Sequence, residues 1–82
     1  MNYEEFKAYV MAEVKKYRKS LKYRKPFIRK GQAVFNIVDS HFGVARVVQF
    51  KDGIDCFHLD QNIEAFLQAA WKYIEPNLKS GS

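Results

Sequence analysis

One cysteine and two prolines in 82 residues leave little with which to staple or break the chain. With Cys56 alone there is no internal disulfide, no C-x-x-C pair and no zinc cluster, which points to a cytoplasmic setting. No apolar run approaches the ~20 residues that cross a bilayer, and Met1-Asn2-Tyr3-Glu4-Glu5 opens acidic where a signal peptide opens basic. Neither a membrane partner nor export is expected. Gly31 stands apart from other glycines, so no Gly-rich loop is there to cradle a phosphate. The absence with the largest consequence is local: from Lys15 to Lys30 there is no acidic residue.

That stretch holds nine of the fourteen basic residues, Lys15, Lys16, Arg18, Lys19, Lys22, Arg24, Lys25, Arg29 and Lys30. It carries +9, while the remaining five basic and nine acidic residues leave −4 elsewhere. What is plentiful is apolar: 48% hydrophobic and 16% aromatic residues exclude a disordered tail and call for a packed core. A chain this short buries only a little over ~60% of its unfolded surface, and aromatic rings, at about 150–250 Å² each, are what it has to build with. A single domain over residues 1–78 is expected, with residues 79–82 a flexible tail.

The order of elements follows from periodicity. Asn2 and Glu5 have the spacing of a capping box, and Tyr3, Phe6, Val10, Val14, Tyr17 and Leu21 step by three or four along one helical stripe. Lys15, Arg18, Lys19 and Lys22 share another face of that helix, which should stop by Tyr23 or Arg24 because Lys25 precedes Pro26. Gly31 is available for a tight turn. Gln32 to Phe42 then carries a helical spacing closed by Gly43, with a strand over 33–38 as the competing reading. The β-branched run Val44 to Phe50, the turn Asp52-Gly53 and the alternating Ile54 to His58 predict a β-hairpin. A last helix is capped by Asp60, buries Ile63, Phe66, Leu67, Ala70, Trp71 and Ile74, and ends at Pro76. The fold class expected is α+β, in the order α-α-β-β-α.

No constellation points to catalysis. Cys56 and His58 could pair as thiol and base, but no third group orients them, and a small buried cysteine beside a rim histidine is the simpler reading. His41, His58, Asp55 and Asp60 fit no metal spacing, so no metal or cofactor is expected. The basic block could be a solvated face that keeps an aromatic protein dispersed. Against this, a helix rises only about 10 Å from Lys15 to Lys22, close to the Debye length of ~8 Å at physiological salt, so these cations repel one another. Tyr17, Tyr23 and Phe27 interleave with them as stacking on unpaired bases requires, although Tyr17 lies on the core stripe.

Two stretches carry a resemblance: Arg29-Lys30-Gly31-Gln32-Ala33-Val34-Phe35-Asn36, an R-x-G-Q-x-x-F-N pattern, and Asp55-Cys56-Phe57-His58-Leu59-Asp60, a D-x-F-x-x-D pattern. With the apolar helix that follows, they cover about half the chain, which resembles small phage or prophage proteins of unassigned activity. Where such proteins often have Pro after the first Asp and Tyr after the Phe, Cys56 and His58 stand here. The resemblance implies the host cytoplasm as setting and host nucleic acid, or a defence complex acting on it, as partner. It also implies a structural polar network joining Arg29, Gln32 and Asn36 to Asp55 or Asp60.

The reading that follows is a non-enzymatic basic binding module contacting a nucleic-acid backbone. Its binding residues would be Lys15, Arg18, Lys19, Lys22, Tyr23, Arg24, Lys25, Arg29 and Lys30. The alternative is a phage-type accessory or inhibitor protein that sets the same face against an acidic surface of a host protein or defence complex. A homodimer through helix one or the last helix is also expected, because Tyr9 lies off the core stripe.

Overall fold

The computed structural model describes residues 1–20 and 28–80. All its regular elements are helical: α1 (Tyr3–Ser20), α2 (Lys30–Phe42), α3 (Ala45–Lys51), a 3₁₀ turn (Asp60–Asn62) and α4 (Ile63–Ser80). The expected α+β class is therefore wrong. No strand occurs among the described residues.

The hairpin fails for a tertiary reason. Val44 to Phe50 has strand propensity, but Ala45 and Val48, three apart, are both fully buried when the segment coils against α2 and α4. Propensity differences of ~1 kcal/mol are readily overridden by such burial. Asp52-Gly53, expected at a hairpin tip, instead stops α3: Asp52 is its C-cap, and Gly53 follows with φ 69°. The would-be return strand is an irregular loop. Asp55 Oδ1 accepts the amide N–H groups of Phe57 (2.9 Å) and His58 (3.4 Å), a side chain taking the place of a strand partner.

Other boundaries follow local chemistry. Asn2 and Glu5 form the reciprocal capping box, with Asn2 Oδ1 accepting the Glu5 N–H at 2.9 Å and a Glu5 carboxylate oxygen accepting the Asn2 N–H at 2.8 Å. Gly43 closes α2 at φ 72°, donating its N–H to the carbonyls of Val38 and Asp39. Gly31, expected at a turn, lies instead in the first turn of α2, and the 33–38 segment is helical. Asp60 begins the 3₁₀ turn, and α4 starts at Ile63. Pro76 does not end α4, which runs through the expected tail positions Lys79 and Ser80. A proline removes its own donor and crowds the carbonyl four residues back, but the amides after it can still reach their own carbonyl partners, so the helix continues past it.

The core lies where the four helices meet. Phe6, Val10 and Val14 of α1, Ala33, Val34 and Val38 of α2, and Phe66, Leu67 and Ala70 of α4 are all buried. Phe6 is its aromatic hinge, with ring centroids 5.3 Å from both Phe42 and Trp71. Tyr9, off the core stripe, packs edge-on against Phe42 and shares a 2.7 Å hydrogen bond with His41 Nδ1, while staying 39% exposed.

Beside Phe6, in the first turns of α1, Glu64 of α4 joins the two helices, accepting hydrogen bonds from Tyr3 Oη and Lys7 Nζ, and another from Gln68 at 3.1 Å. Lys7 first, then Tyr3 and Gln68, hold its carboxyl down at about 2 from an ordinary 4.5. A depressed folded-state pKa means that this stabilisation is fully present above the ordinary value and is lost as pH falls toward 2. In thermal melts, Glu64→Gln should melt below the parent near neutral pH, with the gap closing between pH 4.5 and 2. A gap that stays constant with pH would contradict the role given to this carboxylate.

Candidate nucleic-acid interface

Met11, Val14, Lys15 and Arg18 fall at i, i+3, i+4 and i+7, so one stripe of α1 passes from apolar to cationic as the helix ends. α2 packs back on α1 and brings Lys30 of its first turn to the same place. Together these five residues line an open cavity of about 300 Å³, with three cations around two apolar side chains. Residues 15 and 30 are fifteen positions apart, and the antiparallel return of the chain puts them on one surface.

The electrostatics of the two helix ends differ. Arg18 and Lys19 sit in the last turn of α1, where the helix dipole favours cations. Arg29 and Lys30 sit at the start of α2, which has no acidic residue in its first turn and no side-chain cap from Arg29. There the dipole adds to the positive charge. The carboxylate that relieves it comes from far along the chain: Asp60 Oδ1 accepts the Gly31 N–H at 3.0 Å. Within the block, Lys16 pairs with Glu13 at 3.2 Å. Lys15, Lys19 and Lys30 have no ion-pair partner among the described residues. Lys22, Tyr23, Arg24, Lys25 and Phe27 lie outside the described residues.

The two patterned stretches dock on each other, although through backbone groups. An Arg29 guanidinium nitrogen donates to the Phe57 carbonyl at 2.9 Å, Asp60 caps Gly31, and the buried Cys56 Sγ donates to the Gly31 carbonyl at 3.4 Å. Asn36 instead donates to Tyr17 Oη at 3.3 Å, and Gln32 joins none of these bonds. Asp55 is tied to its own loop: His58 Nδ1 lies 2.9 Å away and Gln49 Nε2 3.2 Å. The His58 ring, ahead of Gln49 and the backbone amides, holds the Asp55 carboxyl below its ordinary range. The expected single network of Arg29, Gln32, Asn36, Asp55 and Asp60 is thus several separate bonds, two of which clamp the start of α2 to the 54–60 loop.

Burial, with a smaller contribution from Asp55, pushes the Cys56 thiol up to about 12, so it stays protonated near neutral pH. No group of three His, Cys, Asp or Glu side chains is placed to hold a metal among the described residues, and no described helix is long and apolar enough to cross a membrane.

A second cavity, of about 270 Å³, was not legible in the sequence. Phe35, Arg46, Gln49, Phe50, Phe57 and His58 line it. Arg46, Gln49 and Phe50 share a face because 45–51 is a helix, and reading that run as a strand keeps Arg46 with Phe50 but turns Gln49 to the other face.

Among the described residues the regular elements are all helical, and Lys15, Arg18 and Lys30 gather on one cationic surface. Comparison with protein-family models, curated proteins and solved structures gives no significant match.

Proposed function

We propose that the chain is a non-enzymatic binding module that holds a nucleic-acid backbone against the surface formed by the end of α1 and the start of α2. The observation that carries this reading is the convergence of Lys15, Arg18 and Lys30 from two helices on one cavity. Lys15 and Lys30 have no internal ion pair among the described residues to neutralise them. Duplex DNA presents one negative charge per ~1.7 Å of axis, a density suited to a compact cationic surface. Contacts of this kind fix a protein on the backbone and carry no base readout.

The test is a binding titration at several salt concentrations. With five or six phosphates contacted, log K against log salt should fall with a slope near −5 on duplex DNA, from ~0.9 per contact. No binding even at low salt would contradict the proposal. Capture of one stoichiometric protein partner from a nuclease-treated cell lysate, in place of polyanion binding, would move the same face to the role of an accessory or inhibitor protein.

A further inference from the structure

The second cavity has a composition that the backbone reading does not use. Phe50 is 79% exposed, the most exposed large apolar side chain among the described residues. It stands with Arg46 and Gln49 at i, i+3 and i+4 on α3, over a lining of Phe57 and Phe35 whose rings meet edge to face with centroids 5.4 Å apart. Arg46 has no ion-pair partner among the described residues. At about 270 Å³ the cavity is smaller than the ~300–1,000 Å³ of a site for a drug-sized molecule, and it suits one flat ring system. Gln49 Nε2 is engaged by Asp55, which leaves the amide oxygen as an acceptor at the cavity wall.

One contact links the residues of this cavity to those of the basic one. Lys30 lines the basic cavity, and its neighbour Arg29 donates to the carbonyl of Phe57, which lines the aromatic one. Two guanidinium groups, Arg46 in the lining and Arg29 bonded to the Phe57 carbonyl, thus stand beside the rings of Phe50 and Phe57, where the phosphates flanking a base would lie. Aromatic faces beside cations along a backbone track are how proteins hold unpaired bases. We propose that the cavity between α3 and the 54–59 loop takes one unpaired nucleobase, so that the preferred ligand is a single strand. This rests on the backbone reading above and specifies its substrate. An acidic peptide inserting an aromatic side chain is the competing occupant. It is disfavoured because Arg46 is the one Lys or Arg side chain in this lining, the other cations Lys15, Arg18 and Lys30 lining the basic cavity instead.

The experiment uses fluorescence anisotropy with a labelled oligothymidylate of about a dozen nucleotides, the scale of one single-strand site, and a duplex of equal length. The parent should bind the single strand more tightly. Phe50→Ala should weaken single-strand binding about five- to a hundredfold, the range one stacked base supplies, and leave duplex binding and the salt slope unchanged. Phe50→Trp should retain affinity and report stacking by quenching of the new indole, whereas Phe50→Leu should behave as Phe50→Ala. Because Phe50 is exposed, its variants should melt with the parent, which a thermal melt checks. Equal binding of strand and duplex by the parent, with Phe50→Ala altering neither, overturns the base pocket and leaves the backbone reading intact. Binding to neither overturns both. If Phe50→Leu binds the strand as well as the parent, or if Phe50→Ala loses only an acidic tryptophan-containing peptide, the cavity holds an apolar side chain and not a base.

Discussion

Replacing Gly31 with alanine is expected to lower the melting temperature by roughly 10–20 °C, from a loss of about 2–3 kcal/mol at ~4–8 °C per kcal/mol for a domain of this size. At an exposed position within a helix the same change stabilises, because glycine costs ~1 kcal/mol relative to alanine. Here the start of α2 lies so close to the 54–60 loop that a Cβ would stand 2.1 Å from the Cys56 carbonyl oxygen and 2.6 Å from Asp60 Oδ1. The Asp60 side chain can turn away, but a backbone carbonyl cannot without moving its loop. Overpacking of that kind costs about 1–3 kcal/mol or more, and displacing Asp60 also loses the cap on the Gly31 N–H, worth ~1 kcal/mol. Together these exceed the propensity gain. A variant that melts at or above the parent would mean that α2 does not start against this loop.

Trp71→Ala is expected to leave the protein mostly unfolded or insoluble. Trp71 is 8% exposed, and its ring packs on that of Phe6, which is fully buried and in turn meets Phe42 edge-on. One indole from α4 thus closes contacts that run through α1 to α2. Removing it should cost ~3–5 kcal/mol from a total of about 5–15 kcal/mol for an ordinary domain, and 82 residues place this chain toward the low end. Lys19→Ala, on an exposed face, should stay within ~0.5 kcal/mol of the parent. Comparable melts for parent and Trp71→Ala would contradict the assignment of the core.

What the sequence revealed of the fold is what short-range chemistry controls. The Asn2 and Glu5 capping box and the Gly43 terminator depend on residues within one turn, and both were readable. Asp52-Gly53 shows where such reading fails: the positive φ it signals is present at Gly53, but hairpin tips and helix ends both use it. Only the burial of Ala45 and Val48 against other helices decides between them. The candidate site divides in the same way. The charge concentration from Lys15 to Lys30 is plain in the sequence. That Lys15 and Arg18 meet Lys30 across a cavity, with Met11 and Val14 beneath, depends on how α2 returns along α1. The polar residues of the two patterned stretches were expected to bond to one another, whereas Arg29 and Asp60 satisfy backbone groups at a helix start, a demand that side-chain spacing does not display.

The most direct test of the central claim is the salt dependence of duplex DNA binding by the parent beside the double variant Lys15→Ala, Lys30→Ala. Both side chains line the basic cavity, and neither has an ion-pair partner among the described residues. If they meet phosphates, the magnitude of the slope should fall by about 2, at ~0.9 per contact, with the thermal melt unchanged. An unchanged slope with the fold intact would mean that this surface is not where the polyanion sits.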